Sequence, residues 1–123
     1  MVIRICMSIL VLMTCASSAS GAELSKDQEY ECLSLIAVLP VMANARMQTL
    51  DERVYQRGGS TLLVQTIKNL ADEGAPEALY SLGVLYESGY CMPKDIEKGI
   101  SLYQEAARHG SPEAKERLSR GHL

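Results

Sequence analysis

The side chains best suited to chemistry in this chain are four cysteines and two histidines. A structural zinc site draws its ligands from tight pairs such as C-x-x-C or H-x₃-H. Cys6, Cys15, Cys32, Cys91, His109 and His122 offer no such spacing, so no metal site is expected. Cys91 and His109 offer a conceivable thiol–imidazole pair, because a nearby base turns a thiol into a nucleophile. The residues around Cys91 form no nucleophile motif, and no serine–lysine motif stands in for one. The expectation is therefore no catalytic residue, no cofactor and no metal.

Disulfide formation is the remaining chemistry, and it depends on compartment. Residues 1–22 have the pattern of a secretory signal: Arg4, an apolar run over Ile5–Met13, and a small-residue tail over Thr14–Ala22. Cleavage is expected before Glu23, with Ala19 as the alternative last residue of the leader. The apolar run is shorter than the roughly 20 residues that a membrane span needs. A second reading takes Leu12-Met13-Thr14-Cys15 as a degenerate lipobox, with Cys15 as a lipid anchor. Either way Cys32 and Cys91 remain in a secreted or periplasmic chain, where they are expected to form a disulfide. The competing reading makes Cys32 a small buried hydrophobe on the apolar face of its helix.

These groups must be positioned by helices. The chain has 123 residues, 47% hydrophobic and 22% charged, with a formal net charge of −3. That balance argues against a nucleic-acid partner, which selects for a basic surface. Without Trp or Phe, the core must come from aliphatic side chains and a few tyrosines, which suits close-packed helix pairs. Ser25 and Gln28 form a capping-box pair ahead of Cys32, Leu35, Ile36 and Leu39, which recur at helical spacing. Pro40 should break that helix. A second helix is expected from about Val41 to Tyr55, carrying Ala43, Met47, Leu50 and Val54, and ending at Gly58-Gly59. Ser60 is the expected N-cap of a third helix with Leu63, Val64, Ile67, Leu70 and Ala71 on its apolar face.

From Leu70 the sequence repeats itself. Gly74, Pro76, Glu77, Ala78 and Leu82 return 36 residues later as Gly110, Pro112, Glu113, Ala114 and Leu118. A period of this size is characteristic of stacked helical pairs. Each glycine can stop a helix in a left-handed cap, and each proline can open the next. The glutamate then places negative charge at the positive end of the helix dipole. Between the two hinges Leu79, Leu82 and Tyr86 should face inward. Gly83 should allow close approach to Ala106 and Ala107, Asp95 should cap the second helix, and Ile96, Ile100 and Tyr103 should pack from its side. A last short helix should run from Pro112 to about Arg120, ended by Gly121.

The residues Ala78, Leu82, Gly83, Tyr86, Gly89, Pro93, Lys94, Asp95, Lys98, Tyr103, Ala106, Ala107 and Gly110 together resemble a Sel1-like repeat of the secreted bacterial type. That family is related to the tetratricopeptide repeat. Cys91, Gly99 and Leu102 depart from its usual glycine, alanine and tryptophan. The resemblance implies an all-α, short solenoid of antiparallel helix pairs with about six helices. Residues 23–59 would be a divergent helical cap and 60–123 the repeat region, with its full repeat at about 74–110. It also implies a protein partner, with the protein acting as adaptor, envelope regulator or immunity protein. The first helix of such a pair lines the concave surface. Glu77, Tyr80, Val84, Glu87 and Ser88 are therefore expected to form an exposed recognition ridge, with Tyr90 and Met92 as an alternative surface in the loop. Cysteine-rich relatives linked to penicillin binding or β-lactam hydrolysis supply the enzyme alternative. They carry a cysteine pair in each repeat, whereas the full repeat here holds only Cys91. Acidic Glu23, Asp27, Glu29 and Glu31 at one end, and basic Arg108, Lys115, Arg117 and Arg120 at the other, read as solvated faces. The basic end has a second reading as a contact for anionic envelope polymers.

Overall fold

The computed structural model of the protein describes residues 24–50 and 59–121. The expected leader, the expected helix end at Val54, Tyr55 and Gly58, and His122 lie outside them. Among the described residues there are six α-helices, one 3-10 turn and no strand. The helices are α1 (Lys26–Ala37), α2 (Ala45–Gln48), α3 (Ser60–Asp72), α4 (Pro76–Ser88), α5 (Ile96–Arg108) and α6 (Pro112–Ser119), with the 3-10 turn over Pro40–Ala43.

The repeated hinge is built the same way twice. Gly74 and Gly110 adopt φ of 84° and 98°, a region that costs an L side chain energy. At the first hinge Gly74 donates to Ala71 O and Ala75 to Leu70 O; at the second Gly110 donates to Ala107 O and Ser111 to Ala106 O. These paired bonds satisfy the last carbonyls of each helix. Pro76 and Pro112 then open the following helices. The period extends further than the hinges. Both ends of α3, moved on by 36 residues, coincide with both ends of α5. Buried Leu63, Ile67 and Leu70 become buried Gly99, Tyr103 and Ala106. Successive helices α3, α4, α5 and α6 pack each on the next, which is the arrangement of a short α-solenoid.

The N-terminal region departs from expectation in three ways. Pro40 does not interrupt a helix: α1 has already ended at Ala37, and Pro40 opens the 3-10 turn just as Pro76 and Pro112 open theirs. The expected helix from Val41 is broken at Asn44, whose extended backbone and side-chain bond to Arg46 N begin a separate one-turn helix. Met47 is buried there, Leu50 is half-buried, and Ala43 is exposed. Finally, Gly59 is the N-cap of α3, and Ser60 is its first helical residue. Ser60 turns its hydroxyl to Glu29 of α1, 3.1 Å away, instead of capping its own helix.

Tyr103, Leu85, Ile67, Leu63, Ile36, Val41 and Cys32 are the largest apolar side chains buried almost completely. Leu79 and Leu82 face inward as expected, joined by Ala78 and Leu85, while Tyr86 is half-buried. Ile96 is corrected: it is 42% exposed, because the first residue of α5 lies beyond the edge of the packed face. Ser81 is a buried polar residue with a clear task. Its hydroxyl donates to Glu77 O and accepts the Val41 N–H, tying the 3-10 turn to α4. Ser81→Ala should orphan that buried N–H and cost about 1–3 kcal/mol, read by chemical denaturation. An unchanged midpoint would mean that the turn finds another acceptor.

Candidate protein-interaction surface

The candidate ridge lies on α4, whose opposite side is fixed by Leu79, Leu82 and Leu85. All five ridge residues are half-buried, which corrects the expectation of an exposed face. Neighbouring elements close on the ridge from both ends. Asn44, before α2, donates to Glu77 at 2.8 Å. At the other end the Tyr103 hydroxyl donates to Glu87 at 2.5 Å, and Arg117 of α6 pairs with the same carboxylate. Between them the Tyr80 ring meets the Tyr103 ring, with centroids 5.4 Å apart and planes tilted by 35°. Burial raises the Tyr80 phenol above its ordinary value, against the pull of Arg117. Val84 packs partly on the core, and the Ser88 hydroxyl donates to Leu85 O. The ridge is thus a partly covered strip of aromatic and aliphatic surface with an engaged carboxylate at each end.

Sequence reasoning missed the Glu87–Tyr103–Arg117 cluster, although the repeat contained a signal for one member. Arg117 occupies the position of Ser81 in the previous unit, and Ser81 reaches back to the 3-10 turn, the element that opens one period earlier. Arg117 does the same toward α4. The Asn44–Glu77 bond had no comparable signal, because it depends on how the N-terminal turn docks.

Cys32 and Cys91 are joined as a disulfide, with Cα atoms 4.8 Å apart. It connects α1 to the loop between α4 and α5. The imagined Cys91–His109 pair does not form. Cys91 precedes α5 and His109 follows it, so a 13-residue helix, about 20 Å long, separates them. His109 instead lies beside the first hinge, its ring about 3.1 Å from where a side chain at Gly74 would begin. In the loop Tyr90 is 48% exposed, while Met92 is half-buried against the core. No group of three or more potential metal-ligating side chains occurs among the described residues. None of the described helices is long and apolar enough to cross a membrane.

The end of the stack is also chemically distinct. Lys115 and Ser119 of α6 occupy the positions of Leu79 and Gly83 in α4, and both are exposed. A lysine and a serine thus stand where α4 has a buried leucine and a close-contact glycine.

Stacked helical hairpins carrying a mixed aromatic–acidic strip define a helical-repeat fold. The Sel1 repeat family model matches residues 76–111, which cover α4, α5 and the second hinge. Residues 76–111 are thus similar to a Sel1 repeat, a unit that generally mediates protein interactions. No curated protein and no solved structure gives a significant match to the chain.

Proposed function

We propose that the protein is a secreted or periplasmic interaction module without catalytic activity, serving as an adaptor, an envelope regulator or an immunity-type protein. The observation that carries this reading is the match of residues 76–111 to the Sel1 repeat. The leader-like residues 1–22 and the disulfide both favour the exported compartment. The partner-binding surface is the strip around Tyr80 and Val84, bounded by Glu77, Glu87 and Ser88. Aromatic side chains at such positions contribute disproportionately to protein interfaces. An adjacent toxin gene would favour the immunity role over the other two.

Affinity capture from an envelope fraction, followed by measurement with the purified partner, tests the surface. Tyr80→Ala should weaken the complex by about 2 kcal/mol or more if the strip binds. It should also lower stability by about 0.5–1.5 kcal/mol, through loss of the Tyr103 ring contact. Tyr90→Ala should leave the affinity unchanged. Loss of binding in Tyr90→Ala with retention in Tyr80→Ala would move the interface to the loop. Turnover of a chromogenic β-lactam by pure protein, lost on changing one side chain, would replace this reading with the enzyme alternative.

A further inference from the structure

Helix α1 occupies an anomalous position in the repeat. Pro40, Pro76 and Pro112 all lie 36 residues apart and open successive elements, so α1 stands where the second helix of an earlier pair would stand. In α3 that helix buries Leu63, Ile67, Leu70 and Ala71. The corresponding residues of α1 are Asp27, Glu31, Ser34 and Leu35; the first three are exposed and Leu35 is half-buried. Asp27, Glu31 and Ser34 are too polar to make the repeat contact, and of the four only Leu35 packs partly on the core. The helix is turned instead so that Cys32 and Ile36 point inward, and these are its buried residues. A hydrogen bond from Ser60 to Glu29 assists at the edge. Tyr30, 74% exposed, faces away.

We propose that the Cys32–Cys91 disulfide is a reducible clasp that holds α1 on the stack, and that its reduction releases α1 while the repeat helices stay folded. The boundary of the released piece is set by the 3-10 turn. Val41 is buried and bound to Ser81, and Leu39 is buried, whereas Val38 between α1 and the turn is 78% exposed. Segment 24–38 therefore moves and Leu39 onward stays. The capping box of Ser25 and Gln28 is local to α1, so the helix carries its own N-terminal bonds when it leaves.

The two sulfurs differ in access: Cys32 is completely buried, and Cys91 is half-buried on a loop. A dithiol reductant attacks through its thiolate at the Cys91 sulfur. The sulfur–sulfur bond breaks, Cys32 leaves as thiolate and takes a proton, and a mixed disulfide forms on Cys91. The second thiol of the reductant displaces Cys91 as thiol and closes the reductant's own disulfide. Two electrons and two protons pass from the reductant to the protein.

The test is native-state amide exchange on the full chain, with the disulfide intact and after complete reduction by dithiothreitol. Exchange across α1 should rise at least about tenfold on reduction, with α4 and α5 unchanged, as for a separately opening unit. Protection should return on reoxidation. Cys91→Ser should behave as the reduced protein in either condition, and if it does not fold, the wild-type comparison carries the result. With a monothiol at low excess, the trapped adduct should map to Cys91. The proposal is overturned if α1 keeps its protection after reduction, if α1, α4 and α5 lose protection together, or if the adduct forms on Cys32.

Discussion

Tyr103→Ala is expected to lower the stability of this protein by about 3–5 kcal/mol, as removal of a large buried aromatic ring does. A small domain has only about 5–15 kcal/mol in total, so the variant should lose a large share of its stability. Three connections meet at this side chain. Its ring is completely buried, lies against Gly83 and contacts the ring of Tyr80. Its hydroxyl donates to Glu87, which also pairs with Arg117 of the last helix. Tyr103→Phe separates these roles: it keeps the ring and should cost about 1–3 kcal/mol for the lost charge-assisted bond. Urea denaturation of the two variants checks both values. A cost for alanine no larger than that for phenylalanine would mean that the ring contributes nothing to packing.

The same residue predicts a pH dependence. Burial, and after it the Glu87 carboxylate, raises the Tyr103 phenol far above its ordinary value. A group whose folded pKa is raised stabilises the fold below its unfolded pKa, here about 10, and loses that contribution as pH rises further. Stability should thus fall above about pH 10, and Tyr103→Phe should flatten that part of the profile.

Gly83→Val is the second large effect, expected to cost about 3 kcal/mol or more through overpacking. A Cβ at Gly83 would lie 2.6 Å from Tyr103 Cε1 and 3.1 Å from the carbonyl oxygen of Gly99. The approach is reciprocal, since a Cβ at Gly99 would meet the Gly83 oxygen at 3.0 Å. Here α4 and α5 touch backbone to backbone. Tyr103→Leu removes the ring that the new side chain strikes. The double variant should therefore be more stable than the sum of its parts by about 0.5–3 kcal/mol. Thermal melts of the four proteins measure this coupling. Strict additivity would show that the ring is not what limits the space at Gly83.

Much of this architecture is local and was therefore legible in the residues. The hinges at Gly74 and Gly110 depend on one glycine and a proline two residues later, and the bonds they make span at most five residues. The capping box at Ser25 and the cap at Asp95 are equally short-range. The 36-residue period made the second hinge and the extent of α5 readable from the first hinge and α3. The disulfide was legible for a different reason: setting the expected leader aside left two cysteines and one pairing.

Contacts between segments distant in the chain were decided only by the tertiary structure. Ser60 has the right chemistry for an N-cap, yet the nearby Glu29 offers its hydroxyl a better use. The residues after Pro40 have helical periodicity, but Asn44 starts a new turn while Glu77 of α4 accepts from its side chain. Tyr80 and Glu87 read as an exposed face because periodicity registers only which side of one helix is apolar. It contains nothing about Tyr103 and Arg117 arriving from the next two helices. A helix face is a property of spacing along one segment, whereas its burial depends on which other segments pack against it.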